Sequence, residues 1–408
     1  MKSWDDVAVW YADLASDRRR TTPEIAQKVK ALTASAPTWM DKVKALAAFV
    51  QTDIRYVAIE VGIGGYQPHP AAEVFANRYG DCKDKATLLS VMLNEVGVKS
   101  YYVLVQTKRG VVTPEVPNVY FDHVIVGLPV PDGTDVGAMA EALVHDEKLG
   151  TLLLFDPTDT HTPLGKLPPA EQLNYCLVVY EAGGRLVKTP VAKATDNRFL
   201  REGRLNLSAD GTLSGEITEL RMGTVAIEMK TKLLAARGPE RLKLIESVVS
   251  ASISGFDVRN AKVEGLDSAD AILTIRYGLR VPGYAQTAGN LLLVRPRVLG
   301  VKGEDLLEDQ DRKCAIELRY TAVQGDSYQI TLPPGYTVDE LPAPVDLQSA
   351  LGTYKSQSEV KDGVLTYRRV FEENQLQVPV AKLDGVKTFY RQLATDEQSL
   401  AILKAATP

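Results

Sequence analysis

The sequence predicts an α+β protein in which helices pack on an antiparallel sheet, followed by a mostly antiparallel, β-sandwich-like region with a helical insert. Three observations carry this reading. Apolar residues recur at helical spacing through residues 1–50, the period switches to two after Gly97, and from about Asp196 short alternating runs are separated by turn formers. At 408 residues the chain exceeds one ordinary core. The expected division is a core domain over 1–195, a β-rich domain over 196–383 and a terminal helix over 384–408.

The first helix places Trp4, Val7, Tyr11 and Leu14 on one face. Thr22-Pro23-Glu24 reads as a second helix start, with Thr22 as cap and Pro23 in the first turn. A third helix opens at Thr38 and aligns Val43, Leu46, Ala47 and Val50. Residues 54–60 alternate as a strand. The stretch Gly62-Ile63-Gly64-Gly65-Tyr66-Gln67-Pro68-His69-Pro70 is then a loop of turn formers. A short helix over 71–77 leads to Arg78-Tyr79-Gly80-Asp81-Cys82-Lys83-Asp84-Lys85-Ala86, a glycine turn that delivers a cysteine to a helix start. Ala86, Leu89, Leu93 and Val96 stripe that helix and Gly97 ends it.

Strands are expected at 100–107, 119–128, 152–155 and 177–180, with a polar, helical excursion carrying His145 over 129–150. In the second half, Ala209-Asp210-Gly211 between two alternating runs is a hairpin signal. Two helices over 224–236 and 239–253 form the insert. Further strands are expected at 271–279, 314–321, 328–332 and 364–370, before a closing helix carrying Phe389, Leu393, Leu400 and Leu403.

Composition narrows the function classes. Apolar and charged contents of 45% and 24% are those of a globular protein. A net charge of −5 supplies no basic footprint for nucleic acid. Cys82, Cys176 and Cys314 are too few and scattered for a disulfide framework. They do not combine with His69, His123, His145 and His161 at metal-ligand spacing. No metal or cofactor is therefore expected. No apolar run approaches the roughly 18 residues of a transmembrane span, and the start lacks a signal-peptide core.

A thiol at a helix N-terminus lies beside unpaired N–H groups and the positive end of the helix dipole, both of which favour its nucleophilic form. Such a nucleophile needs a base and a group to orient that base. His123, one polar ring in Tyr120-Phe121-Asp122-His123-Val124-Ile125-Val126, is the candidate base. Asp156, ending an apolar run in Phe155-Asp156-Pro157-Thr158, is the candidate orienter. Taken singly, His123 reads equally as a core histidine, and Asp156 reads first as an ordinary strand-end turn residue before proline. The charged string Asp81, Lys83, Asp84 and Lys85 reads as a solvated helix start, with Asp81 pointing away from the thiol. Cys176 reads as a buried, inert thiol. His69 and His161 read as incidental loop histidines, the latter close enough to Asp156 to line a cleft.

The order Cys at a helix start, His on a strand, Asp on the next strand resembles the transglutaminase-like superfamily of cysteine enzymes, whose fold is related to the papain-like proteases. The matching residues are Gly80, Cys82 and Ala86 in Gly-x-Cys-x-x-x-Ala, His123 in Asp-His-Val, and Asp156 in Phe-Asp-Pro-Thr. The string around Cys82 looks like a bacterial subgroup in which the core lies between two β-rich domains of unknown function. The resemblance extends over about residues 1–180, and more loosely beyond.

That resemblance implies a papain/transglutaminase-like core and acyl transfer on amides of a peptide or protein, with catalytic Cys82, His123 and Asp156. Transfer to water gives a peptidase or amidase, and transfer to an amine gives a cross-link. The backbone N–H of Cys82 is the expected oxyanion donor, with Gln67 or Tyr66 as a side-chain second. The resemblance also implies a periplasmic setting and a chain trimmed of a leader and an N-terminal β domain. Competing readings are a non-catalytic peptide- or glycopeptide-binding envelope module, and a metal site from Cys82, His123 and Asp156. Substrate identity and oligomeric state do not follow from the residues.

Overall fold

The computed structural model describes residues 1–268, 270–302 and 312–406. The chain divides into two compact units, Met1–Ala192 and Lys193–Pro408. The first opens with helices α1 (Trp4–Ala15), α2 (Pro23–Leu32) and α3 (Trp39–Asp53), each started by a capping side chain. Ser3 and Asp6 form a capping box on α1, Thr22 caps α2, and Thr38 and Asp41 box α3. The expected strand over 54–60 shrinks to β1 (Arg55–Tyr56). Its alternation continues, but only those two residues find a partner, in parallel β2 (Tyr79–Gly80). Helix α4 (Ala71–Asn77) precedes β2, and α5 (Cys82–Asn94) follows it.

Six antiparallel strands form the sheet behind α5. They are β3 (Tyr101–Val105), β4 (His123–Pro129), β5 (Leu143–Asp146), β6 (Gly150–Phe155), β7 (Tyr175–Tyr180) and β8 (Gly183–Lys188), in spatial order β5-β6-β4-β3-β7-β8. The excursion expected to be helical contains only a 3₁₀ turn, Gly137–Ala142, and then β5, whose pairing with β6 places His145 on a strand. Ala86, Leu89 and Leu93 of α5 meet Val103, Ile125, Leu153 and Leu177 in one core, all fully buried. Along the other edge α1 lies on β7 and β8. Gly184 permits that approach, since a Cβ there would stand 2.3 Å from the Cβ of Ala8.

In the second unit an eight-stranded sheet runs in spatial order Asp257–Glu264, Ile272–Val281, Leu213–Met222, Arg198–Leu207, Ala322–Thr331, Val364–Glu373, Gly352–Lys361 and Val345–Gln348. Neighbours are antiparallel except at the parallel seam between Arg198–Leu207 and Ala322–Thr331. A four-stranded sheet shares its apolar core through Leu292 and Leu403, against Tyr277 and Leu365. The insert is the pair of helices Thr224–Ala235 and Pro239–Ser250.

Two expectations fail in this unit. The strand expected over 314–321 is only Ile316–Glu317, paired with Gln377–Val378. The closing helix ends at Glu397, and Leu403 lies instead in strand Ala401–Ala405, which pairs with both Leu291–Val294 and Tyr336–Glu340. The overall class is α+β, with a helix-and-sheet core followed by a β-rich unit. Among the described residues no helix is long and apolar enough to cross a membrane.

Candidate active site

Cys82 is the first residue of α5 and is 5% exposed. Asp81 caps the helix by accepting from the Asp84 N–H, and Asp84 accepts in return from the Asp81 N–H, at 3.3 and 3.2 Å. Asp84 further accepts from the His69 N–H at 2.7 Å, and its Oδ2 lies 3.1 Å from the His69 ring Nδ1. Gly80 is required here because a Cβ would lie 2.5 Å from the Cβ of Asp84.

The string expected to be solvated is instead buried, with Asp81, Lys83, Asp84 and Lys85 each 3% exposed or less. Each has a dedicated partner. The Lys83 Nζ sits on the Asp81 carboxylate, and Lys85 donates to the carbonyls of Ile54 and Gln51 at 2.8 and 3.2 Å. Burial lowers the Lys85 pKa to about 8, against the raising pull of Asp156. Asp81 does not point away into solvent. It turns back over the helix start and onto Lys83, whose charge it neutralises.

His123 opens β4 and Asp156 follows the end of β6, so the antiparallel pairing of these strands brings them together. The His123 Nε2 lies 3.1 Å from the Asp156 Oδ2. The other carboxylate oxygen accepts from the Thr158 N–H and hydroxyl at 2.8 and 2.7 Å, which fixes its orientation. His123 and Cys82 face the same cleft. Because Nε2 is committed to Asp156, Nδ1 is the nitrogen left for the thiol. The cleft measures about 410 Å³ and is lined also by Trp10, Tyr66 and Phe121.

Burial disfavours charge on His123, but the Asp156 charge and the hydrogen bonds to Asp156 and Cys82 outweigh it, holding the imidazole well above its ordinary value. Burial pushes Asp156 the other way, and His123, Glu171 and Thr158 together keep its carboxyl below the ordinary range. The arrangement is a charged pair behind a thiol.

The remaining expected residues divide. Tyr66 lines the cleft, its ring edge-on to Trp10 with centroids 5.4 Å apart. Gln67 does not line it, and its amide donates to the Leu14 carbonyl at 3.0 Å. His161 also lies off the cleft, its N–H bound to Asp159. Cys176 is fully buried on β7, where burial pushes its thiol far up.

Glu171 went unforeseen. It is 2% exposed, with Oε1 3.6 Å from the His123 Nε2. Ligand-type atoms of His123, Asp156 and Glu171 all lie within 4.8 Å of one another, a set that among the described residues could hold a cation. Cys82 is not in it.

Comparison with known proteins supports the architecture. Residues 24–146 match the transglutaminase-like superfamily. Residues 291–403 match a domain of unknown function, DUF3858. A solved structure from Parabacteroides distasonis, described as a candidate protease, superposes with a TM-score of 0.51 at 12% identity, covering 97% of this chain and 58% of its own. At that identity the likeness is one of fold. This chain therefore spans little more than half of that protein. No curated protein matches.

Proposed function

We propose that the first unit is a cysteine-dependent acyl-transfer enzyme acting on amide bonds of a peptide or protein, most simply a hydrolase. The observation that carries this is the polarity of His123. Its Nε2 faces Asp156 at 3.1 Å, and its remaining nitrogen is left for Cys82 at the rim of one cleft. This is the order nucleophile, base, orienter that activates a thiol. The superfamily match over residues 24–146 supports the class, and the protease description of the Parabacteroides distasonis structure makes hydrolysis the first activity to test.

In this mechanism the charged His123 ring already holds the proton at its Nδ1, and the Cys82 sulfur attacks as the thiolate, bonding to the amide carbonyl carbon while the carbonyl π pair moves onto its oxygen. The oxyanion so formed is met by the Cys82 backbone N–H, which the first turn of α5 leaves without an intrahelical acceptor. The Tyr66 hydroxyl, on the cleft wall, is the proposed side-chain donor. When the C–N bond breaks, the same proton passes from His123 to the leaving amine. Water then attacks the thioester as His123 takes its proton, the C–S bond breaks, and the acid leaves with Cys82 restored. Asp156 holds the ring and compensates its positive form. An amine in place of water would give a cross-link by the same steps.

The test is the rate of Cys82 alkylation by iodoacetamide as a function of pH, with peptide turnover followed by mass spectrometry. Reaction well below about pH 8.5, the ordinary thiol range, that disappears in His123→Ala is expected. Alkylation no faster than a free thiol and indifferent to His123 would overturn the proposal.

A further inference from the structure

We propose that Glu171 is a positioning residue of this site: a neutral carboxylic acid that donates a hydrogen bond to Asp156 and so fixes that carboxylate against His123. The inference rests on the reading of Cys82, His123 and Asp156 given above, and it adds the group that sets the charge balance behind the histidine.

The backbone delivers Glu171 rigidly. It ends a 3₁₀ turn, Pro169–Glu171, where its N–H donates to the Pro168 carbonyl at 3.0 Å and its own carbonyl accepts from the Thr189 hydroxyl at 2.5 Å. The side chain is thereby driven inward, 2% exposed, to the His123–Asp156 pair. Two buried carboxyls then share one imidazole.

Both cannot be ionised cheaply, because a second negative charge there has only one cation to answer it. The hydrogen bonds decide which one holds the proton. Asp156 accepts from the Thr158 N–H, the Thr158 hydroxyl and His123, all contacts that favour its anion. Glu171 has no such donors, and its Oε2 is buried without a partner. An ionised oxygen left bare in that position is strongly disfavoured, whereas a protonated acid needs only an acceptor, and a carboxylate oxygen of Asp156 lies within 4.8 Å. The groups that face Glu171 are Asp156, His123, Asp159 and Cys176, with Lys85 acting on Asp156 from α5. Burial first, and the Asp156 charge second, hold the Glu171 carboxyl well above the ordinary range.

A neutral donor at this place has two consequences. It adds a fourth hydrogen bond to Asp156, so the carboxylate cannot rotate away from the ring. It also spreads the Asp156 charge, which limits how strongly the imidazolium is held. An ionised Glu171 would do the reverse and lock the proton on His123.

The experiment uses the full chain, with the Glu171 side-chain carboxyl carbon and the histidine ring followed by NMR, alongside the alkylation pH profile. In the wild type the Glu171 carbon should keep the shift of a neutral acid from pH 5 to 8. Glu171→Gln keeps a donor and carries no charge, so the His123 titration should stay within about 0.3 units of wild type. Glu171→Leu removes the donor to Asp156, and the His123 titration should rise by roughly half a unit or more.

A carboxylate-type shift at Glu171, or a fall of more than about one unit in Glu171→Gln, would overturn the proposal. So would a titration in Glu171→Leu that matches wild type. A His123 signal displaced by equimolar Zn²⁺ in wild type but not in Glu171→Gln would replace it with a cation site. If Glu171→Leu does not fold, the carbon shift and Glu171→Gln still decide. A wild-type thiol indifferent to His123 would instead fail the enzyme reading and leave the Glu171 measurements standing.

Discussion

Replacing Gly80 by alanine tests the link between the turn and the thiol. A Cβ at position 80 would stand 2.5 Å from the Asp84 Cβ and 2.9 Å from its Oδ2, distances that ordinary contacts do not reach. Neither side can yield easily. Asp84 is held by the Asp81 N–H and by His69, and Gly80 is paired to Tyr56 in the short parallel ladder. Either Asp84 leaves its cap, for about 1 kcal/mol, or the strand shifts at an overpacking cost of about 1–3 kcal/mol. A loss of about 1–3 kcal/mol in urea unfolding is expected, with slower Cys82 alkylation because the helix start moves with the cap. Gly65→Ala is the control, since a Cβ there meets nothing within 4 Å and should change stability by less than about 0.5 kcal/mol. A Gly80→Ala protein as stable and as reactive as wild type would refute the claim that this turn positions the thiol.

Three further outcomes are expected. Asp156→Asn should destabilise most in mildly acidic solution. The raised His123 value makes the contribution of the pair full below the unfolded histidine value of about 6.5, and lost as pH climbs through the folded value. The lowered Asp156 value makes it present above about 3.9 and lost as pH falls through the folded value. Urea midpoints at pH 5 and pH 9 check this, and a penalty larger at pH 9 contradicts it. In the second unit, Arg369→Met leaves buried Asp326 and Glu397 without their shared guanidinium and should cost about 3–5 kcal/mol by urea unfolding. Gln67→Ala should leave the alkylation and turnover rates within about twofold, because its amide serves Leu14 and not the cleft. A turnover loss of about a hundredfold would restore it as an oxyanion donor.

Local signals were legible and long-range ones were not. Thr22-Pro23 and Thr38 announce helix starts because a cap is a matter of three or four adjacent residues. Strand pairing has no such local mark. Residues 54–60 alternate convincingly, yet only Arg55 and Tyr56 meet a partner, and Val61 is left 80% exposed. Leu403 carries a helical spacing with Leu400, but its pairing with Leu292 and Val338 overrides that spacing. Cys82, His123 and Asp156 stood out because a thiol at a helix start, a ring in an apolar strand and a strand-end carboxylate each break a local pattern. Glu171 breaks none. In Pro168-Pro169-Ala170-Glu171-Gln172 it is an ordinary turn residue, and only the fold brings it to His123. The one available clue was a charged residue between apolar Leu167 and Leu173.

The same distinction explains the charged string after Gly80. Four ionisable residues in five positions read as a solvent-facing helix end, because burial of a lone charge is costly. The structure meets that cost residue by residue. Asp81 takes Lys83, Asp84 takes the His69 loop and the helix N–H groups, and Lys85 takes two carbonyls at the end of α3. Asp81 next to Cys82 would oppose a thiolate if its charge were bare, and its pairing with Lys83 offsets that charge. What remains at the thiol is the helix N-terminus on one side and the His123 ring on the other. The buried string thus anchors the start of α5 to two surrounding segments, the His69 loop and the end of α3, with its two acids matched by its two bases. A run of alternating acids and bases can therefore be the most tightly held part of a site.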